Sequence, residues 1–186
     1  MEDIQIVGLY FARNEQAITE TANKYGKYLF TIANNILTSK RDSEEAVNDT
    51  YLGAWNSIPP HHPHRLSTYL GKITRRISLD KWKANRAQKR GGGEVILALE
   101  ELEGCISSVD TPQYWLEQKE LSAHINVFLK SLPDMEQKVF IRRYWYLEPV
   151  KRIAKDFGFS ESKVKSILSR TREKLKTYLQ KEGIAV

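Results

Sequence analysis

The stretch from Leu132 to Leu175 has the residue spacing of a helix-turn-helix, and this spacing limits the possible folds more than any other feature of the chain. Ala154 lies midway along the first helix, where a small side chain allows a second helix to cross closely. Gly158 follows as the turn residue, because glycine adopts the left-handed backbone at no steric cost. Ser160 can cap the second helix, and Val164 begins its apolar face. The sequence therefore predicts two helices that cross at a steep angle.

The outward face of the second helix carries short polar groups near its start and cations further along. Ile167 and Leu168 continue the apolar face at helical spacing, which leaves the polar residues facing outward. Such a face suits a major groove flanked by phosphates. A helical hairpin without a ligand would share part of the pattern, but the full spacing together with the cations favours DNA binding. The outward residues are Glu161, Ser162, Lys163, Lys165, Ser166, Ser169, Arg170 and Arg172.

Charged residues divide the chain into three blocks. Residues 1–90 hold 14 basic and 9 acidic groups, residues 91–112 hold five acids and no base, and residues 113–186 hold 15 basic and 9 acidic groups. Two basic blocks on either side of an acidic segment that begins with three glycines are typical of nucleic-acid-binding domains and a linker. We therefore expect an all-α protein. It would have helical domains at 1–90 and 113–186, the second with the helix-turn-helix, and a flexible acidic linker at 91–112.

Other classes of protein fit the sequence poorly. A single cysteine, Cys105, excludes an internal disulfide, and the chain has no cysteine and histidine spacing of the kind that binds metals. It has no run of about 18 apolar residues, and the N-terminus begins with acids rather than a basic signal region. We expect a cytoplasmic protein with no metal, no cofactor and no membrane insertion.

An acidic helix is predicted in the first domain. Helical periodicity fills most of residues 3–56 and breaks at residues 37–46, after which Asp42 or Ser43 is expected to cap the next helix. A solvated acidic face is the ordinary interpretation of this helix, and docking of a partner is the alternative. The expected buried stripe is Val47, Tyr51, Ala54 and Trp55, and the opposite face is Glu45, Asn48, Asp49 and Leu52.

A proline- and histidine-rich loop comes next. Three prolines within residues 59–63 prevent a regular helix and stiffen the backbone. Histidine-rich tracts sometimes bind metals, but no carboxylate or thiol accompanies this one. A surface that holds a flat group, such as an unstacked base, is the favoured interpretation.

The helix expected at about residues 67–90 is the most basic element. Residues 65–90 contain nine lysines or arginines and one acid, Asp80. A charge run is usually a solvated face, but this excess of positive charge on one helix would repel itself, so an anionic partner is favoured. Leu70, Ile73 and Ile77 are expected to face the core.

These segments resemble those of extracytoplasmic-function (ECF) sigma factors, the small two-domain promoter-specificity subunits of bacterial RNA polymerase. The resemblance extends over about residues 4–181. DSEEAVNDTYLGAW, residues 42–55, is similar to the family helix that docks on the clamp helices of the largest polymerase subunit. RLSTYLGKITRRISLDKWKANR, residues 65–86, is similar to the promoter-opening helix. LPDMEQKVFIRRYWY and IAKDFGFSESKVKSILSRTREKL, within residues 132–175, are similar to the domain that reads the upstream promoter element.

The resemblance implies roles for three sets of residues. It places polymerase docking on the acidic helix, minus-ten recognition with a flipped base on the loop and basic helix, and minus-thirty-five recognition on the helix-turn-helix. The polymerase-binding residues would be Glu44, Glu45, Asn48 and Asp49. The minus-ten residues would be His61, His62, His64, Arg65, Tyr69, Lys72, Arg75, Arg76, Trp82, Lys83 and Arg86. The minus-thirty-five residues would be Lys151, Arg152, Ser160, Ser162, Lys163, Lys165, Ser166, Ser169 and Arg170.

The resemblance also implies partners. These are core polymerase, through the clamp helices and the flap of the second-largest subunit, promoter DNA, and an anti-sigma factor that covers the polymerase-binding surface. The acidic linker would thread the RNA channel of the polymerase. Two features depart from the family: Arg76 stands where many relatives have an asparagine, and Lys151 and Arg152 stand where acids are common. They affect base preference and phosphate contact rather than the assignment.

Two alternatives fit less well. A repressor or activator that acts without polymerase could use the same helix-turn-helix, but it would have little use for both the acidic helix and the promoter-opening helix. An enzyme that cleaves nucleic acid usually needs clustered carboxylates to hold metal ions, and the acids here lie on one helix face or in the linker. The sequence therefore predicts a transcription initiation factor and not an enzyme.

Overall fold

Helices account for all the regular secondary structure in the computed structural model, which describes residues 1–86, 97–98, 101–102 and 114–184. This observation confirms the predicted all-α fold. The chain divides into two units, Met1–Gly91 and Gly92–Val186. The first contains α1 (Asp3–Phe11), α2 (Gln16–Leu37), α3 (Lys40–Ser57) and α4 (Leu66–Arg86). The second contains α5 (Tyr114–Ser131), α6 (Asp134–Tyr144), α7 (Val150–Phe157) and α8 (Glu161–Lys181).

Some sequence predictions fall where the structure gives no description. Most of the predicted linker, residues 91–112, lies outside the described residues, and so do residues 87–90 at the end of the predicted basic helix. Within the linker, residues 97–98 and 101–102 are described and helical. The flexibility of the linker therefore stays a prediction.

The core of the first unit forms where α2, α3 and α4 pack against one another, while α1 packs on α2. Helix α4 approaches α2 closely at Gly71, where an added Cβ atom would lie 2.8 Å from the Tyr28 hydroxyl oxygen. A side chain at this position would therefore require the Tyr28 side chain to shift. The fully buried apolar residues of this core include Leu29, Ile32, Ala33, Ile36, Ala54, Leu66 and Leu70.

Helix α3 begins earlier than predicted. Its N-cap is Ser39, whose hydroxyl oxygen accepts a hydrogen bond from the Asp42 amide at 3.3 Å, so the prediction of Asp42 or Ser43 as the cap is wrong. Thr38 ends α2 in the left-handed conformation, with φ of 53°, and only two residues separate the helices. This connection is too short to leave Asp42 outside α3. The buried residues are Ser43, Ala46, Val47, Thr50 and Ala54, whereas Tyr51 and Trp55 are half-buried.

The buried face of α4 is rotated by one residue step from the predicted face. Ile73 and Ile77 are half-buried, and the buried positions are Leu66, Leu70, Gly71, Thr74, Ser78 and Trp82. The Thr74 hydroxyl lies 3.0 Å from the Thr50 hydroxyl of α3, so small polar residues line the contact between the two helices. A search for apolar spacing does not detect such a face, which explains the difference.

The second unit contains the predicted helix-turn-helix. Helix α7 ends at Gly158, which has a left-handed backbone with φ of 65°, and the Phe159 amide donates to the Ala154 carbonyl at 2.9 Å. Ser160 caps α8 by accepting a hydrogen bond from the Lys163 amide at 3.2 Å. The turn and cap predictions are confirmed. The apolar residues buried on and around the motif include Val139, Phe140, Ile153, Ala154, Val164, Ile167, Leu168, Leu175 and Leu179.

A carboxylate from the predicted linker completes a polar cluster in this unit. Glu101 accepts hydrogen bonds from the Tyr144 hydroxyl at 2.9 Å and from the guanidinium groups of Arg143 and Arg172 at 3.4 Å. The Arg143 side chain is 1% exposed, so its charge is removed from water and depends on such anionic partners. Glu101 therefore belongs to the folded part of the second unit.

Substituting glutamine for Glu101 is expected to destabilise the second unit by about 1–3 kcal/mol. The loss of one partner of a buried ion pair costs about 3–5 kcal/mol, and we expect less because the Glu101 side chain is 30% exposed. Hydrogen exchange of the α6 and α8 backbone amides in the full chain measures this change. Glu173→Gln, at an exposed site on α8, is the control, and equal effects of the two variants would contradict the role of Glu101.

Candidate nucleic-acid and partner interfaces

The acidic face of α3 is exposed, and two of its carboxylates bind the same lysine of α4. Lys81 of α4 donates to a Glu45 carboxylate oxygen at 2.7 Å and lies 3.1 Å from an Asp49 carboxylate oxygen. The hydrogen bond from Lys81 lowers the pKa of Glu45. Burial lowers the pKa of Lys81, but the hydrogen bonds to the two carboxylates outweigh burial and raise it above its usual value.

The rest of this face surrounds the two bridged carboxylates. Glu44 lies 3.8 Å from the Lys40 ammonium, one helical turn earlier, and Asn48 is exposed. Leu52 is an exposed large apolar residue on the same face. The predicted polymerase-binding residues thus share one accessible surface, which combines carboxylates, an amide and an apolar group.

The loop of residues 58–65 is fixed to its surroundings by side chains. His61 Nδ1 lies 3.0 Å from the Ser57 carbonyl oxygen at the end of α3, and the Tyr69 hydroxyl donates to the Ser57 hydroxyl at 2.8 Å. The His62 ring lies 5.3 Å from the Phe11 ring of α1. The loop therefore has a defined position between α1, the end of α3 and the start of α4. Its exposed members include His61, His62, His64 and Arg65.

Asp3 of α1 holds the start of α4 directly after this loop. Its carboxylate accepts hydrogen bonds from the Leu66 amide at 3.2 Å, from the Lys24 ammonium at 2.8 Å and from the Tyr25 hydroxyl. Burial raises the pKa of Asp3, but these hydrogen bonds outweigh burial and lower it below its usual value. A residue near the N-terminus thus caps the basic helix, and sequence reasoning missed this contact because 63 positions separate the two residues.

Helix α4 presents some of its predicted DNA-contacting cations to solvent and not others. Lys72, Arg76 and Lys83 are exposed, whereas Arg75 is half-buried and burial lowers its pKa. Trp82 is buried in the unit, so its ring offers no open face on which a base could stack. Tyr69 is half-buried beside His61, with 6.2 Å between the ring centroids. Arg86 is the last residue of the helix.

The outer face of α8 agrees with the sequence pattern. Seven of the predicted outward residues are exposed: Glu161, Ser162, Lys163, Lys165, Ser166, Ser169 and Arg170. Arg172 differs, because its guanidinium donates to the Tyr144 hydroxyl at 2.6 Å and points into the polar cluster around Glu101. The Lys163 ammonium lies 3.6 Å from the centre of the Phe159 ring, which is half-buried.

Helix α7 adds two cations to the surface of the motif. Lys151 and Arg152 are both exposed on its first turn. The helix is held to α6 by Arg142, whose guanidinium pairs with the carboxylates of Glu148 and Asp156. Two exposed cations on a fixed helix suit contact with DNA phosphates.

Family models match both units. The model "Sigma-70 region 2" matches residues 21–88, which include the acidic face, the loop and α4. The model "Sigma-70, region 4" matches residues 128–177, which include α6, α7 and most of α8. Together the two models match more than half of the chain. The chain belongs to the sigma-70 family. This membership confirms, at the level of the family, the resemblance to sigma factors drawn from the sequence motifs.

Several solved structures are similar to this sigma-70 family protein. The structure of CnrH in complex with the cytosolic domain of CnrY is similar at 17% sequence identity and a TM-score of 0.43, and the match covers 96% of this chain and 97% of that chain. No curated protein is a significant match. Among the described residues, no helix is long and apolar enough to cross a membrane, and no three histidine, cysteine, aspartate or glutamate side chains cluster as metal ligands would.

Proposed function

We propose that this sigma-70 family protein is a sigma factor of the ECF type, which binds core RNA polymerase in the cytoplasm and directs promoter-specific initiation without being an enzyme. The observation that carries the proposal is the combination, in one chain, of matches to sigma-70 regions 2 and 4 with an exposed acidic face and an exposed helix-turn-helix face. A regulator that acts without polymerase would need the exposed helix-turn-helix face but not the exposed acidic face.

Polymerase docking is assigned to Glu44, Glu45, Asn48 and Asp49 of α3, against the clamp helices of the largest subunit. The support for this assignment is that the four residues lie on one accessible face of a unit that is otherwise basic. The flap of the second-largest subunit and an anti-sigma factor that covers the acidic face complete the proposed partners. Exposed Leu52 would give either partner an apolar contact beside the carboxylates.

Minus-ten recognition is assigned to the loop and the exposed side of α4. Unstacking a base costs a few kcal/mol, and cations on the DNA backbone would offset this cost. The half-buried ring of Tyr69 stays in the proposed base-binding surface, whereas Trp82 is left out because it is buried. The residues in this role are His61, His62, His64, Arg65, Tyr69, Lys72, Arg75, Arg76, Lys83 and Arg86.

Minus-thirty-five recognition is assigned to the start of α8, where hydroxyl groups and cations alternate on the exposed face. Helices of this length and polarity enter the major groove with their N-terminal residues at the base edges. The residues are Ser160, Ser162, Lys163, Lys165, Ser166, Ser169 and Arg170, and Lys151 and Arg152 of α7 would contact phosphates.

A run-off transcription assay tests the proposal. The protein is added to sigma-free bacterial core polymerase on a library of genomic fragments, and the transcript starts are sequenced. We expect discrete starts that share two upstream motifs. DNA binding without any protein-dependent start would contradict the proposal and indicate a regulator that acts without polymerase.

A further inference from the structure

Helices α3 and α4 pack closely against each other beside the acidic face. At Gly53 an added Cβ atom would lie 3.1 Å from Ile73, and the Thr50 and Thr74 hydroxyl oxygens lie 3.0 Å apart. Lys81 comes seven residues, or about two helical turns, after Thr74 on the same side of α4. The packing of the two helices therefore places the Lys81 ammonium within ion-pairing distance of the Glu45 and Asp49 carboxylates, at the edge of the contact.

Glu45 and Asp49 lie one helical turn apart and share this single ammonium. Their side chains are 60% and 44% exposed, and that of Lys81 is 25% exposed. The carboxylates thus keep oxygen atoms open to solvent while one cation of the protein already binds them. A basic side chain of a partner that approaches this face would therefore compete with Lys81 for the same carboxylate oxygens.

We propose that Lys81 is an internal competitor of the polymerase: it binds the acidic face in the free protein, and basic side chains of the docking partner displace it. This inference rests on the proposed function, which assigns polymerase docking to the same face. It specifies the partner chemistry as lysine or arginine side chains that take the place of one ammonium. Arginine fits well, because its planar fork can bridge two carboxylates.

The competition is weak enough to be reversible. Exposed ion pairs contribute little individually, and the two pairs of Lys81 together correspond to about a three- to ten-fold effect on binding. Lys81 would therefore reduce the affinity for polymerase without preventing assembly, and would favour partners with several cations over those with one.

The test compares the affinities of Lys81→Met and Lys27→Met for core polymerase. Methionine is one atom shorter than lysine, but it keeps an unbranched apolar stem and removes the charge. Lys27 is an exposed lysine of α2, and no carboxylate in the described part of the chain lies within ion-pairing distance of it. Fluorescence anisotropy of labelled full-length protein, at about 0.15 M salt and without DNA, is the measurement.

We expect Lys81→Met to bind core polymerase about three- to ten-fold more tightly than the parent protein, and Lys27→Met to bind unchanged. An unchanged or weaker affinity of the Lys81 variant would overturn the inference, because Lys81 would then be neutral or would position the carboxylates for the partner. Equal tightening by both variants would also overturn it, since a general charge effect would suffice.

A double-mutant cycle keeps the test decisive if Lys81→Met alters the stability of the unit. In the Glu45→Gln and Asp49→Asn background, the Lys81 substitution is expected to have no further effect, and a persistent effect would refute the competition. Failure of the proposed docking itself gives a different result. In that case the charge reversal of Glu45 and Asp49 would leave polymerase binding intact, whether or not the Lys81 substitution changes the affinity.

Discussion

Replacing both Glu45 and Asp49 with lysine is expected to abolish binding to core RNA polymerase, with a loss of at least about 100-fold. The carboxylates lie on the exposed face assigned to docking, and the substitutions would set positive charge against a basic partner. Like charges across an interface cost several kcal/mol. The measurement is the affinity of the full-length variant for sigma-free core polymerase.

The fold must be shown to survive these substitutions, because two lysines would face Lys81 where two carboxylates now bind it. The isosteric pair Glu45→Gln and Asp49→Asn avoids this repulsion and should weaken binding to a smaller extent. Glu15→Lys, at the residue before α2, together with Glu20→Lys on α2 changes the net charge by the same amount and is the matched control. Normal binding by the folded Glu45 and Asp49 variant would remove α3 from the docking surface.

Replacing Lys163, Ser166 and Arg170 together with alanine is expected to reduce promoter-directed transcription on the order of 100-fold. All three residues are exposed on α8, and Lys163 and Ser166 lie in its first two turns, the part that enters the major groove in this class of motif. Each good contact to a base edge contributes about 1–3 kcal/mol of discrimination. Run-off transcription from the promoters found with the parent protein is the measurement.

The C-terminal end of the same helix provides the matched control for this prediction. Lys176→Ala, Thr177→Ala and Lys181→Ala remove two cations and one hydroxyl group, as the first set does, but Thr177 lies about 16 Å along the helix from Ser166. The control should keep its promoter preference. If the first set lost non-specific DNA affinity alone, with the promoter preference unchanged, α8 would not read bases.

The predictions of buried and exposed helix faces are correct where apolar residues recur at regular helical spacing. Val164, Ile167 and Leu168 are buried, and the polar residues between and beside them on α8 are exposed, as the sequence indicated. The left-handed turn at Gly158 and the helix cap at Ser160 were also predicted correctly, because both depend on residues close in sequence.

The prediction for α4 was less accurate because its packing depends on small polar residues. Gly71, Thr74 and Ser78 line the buried face, and a search for apolar residues skips all three. The error rotated the expected face, so Trp82 was placed toward DNA although it is buried. The roles of Asp3 and Lys81 also escaped prediction, because each depends on a contact between distant parts of the chain.

The cluster around Arg143 decides where the second unit can be separated from the chain. A fragment that starts at residue 113, one residue before α5, lacks the Glu101 carboxylate and leaves the Arg143 guanidinium without that anion. A fragment that starts before residue 97 keeps it. A fragment of the second unit should therefore begin before Glu101, in the connecting segment, rather than at the first residue of α5.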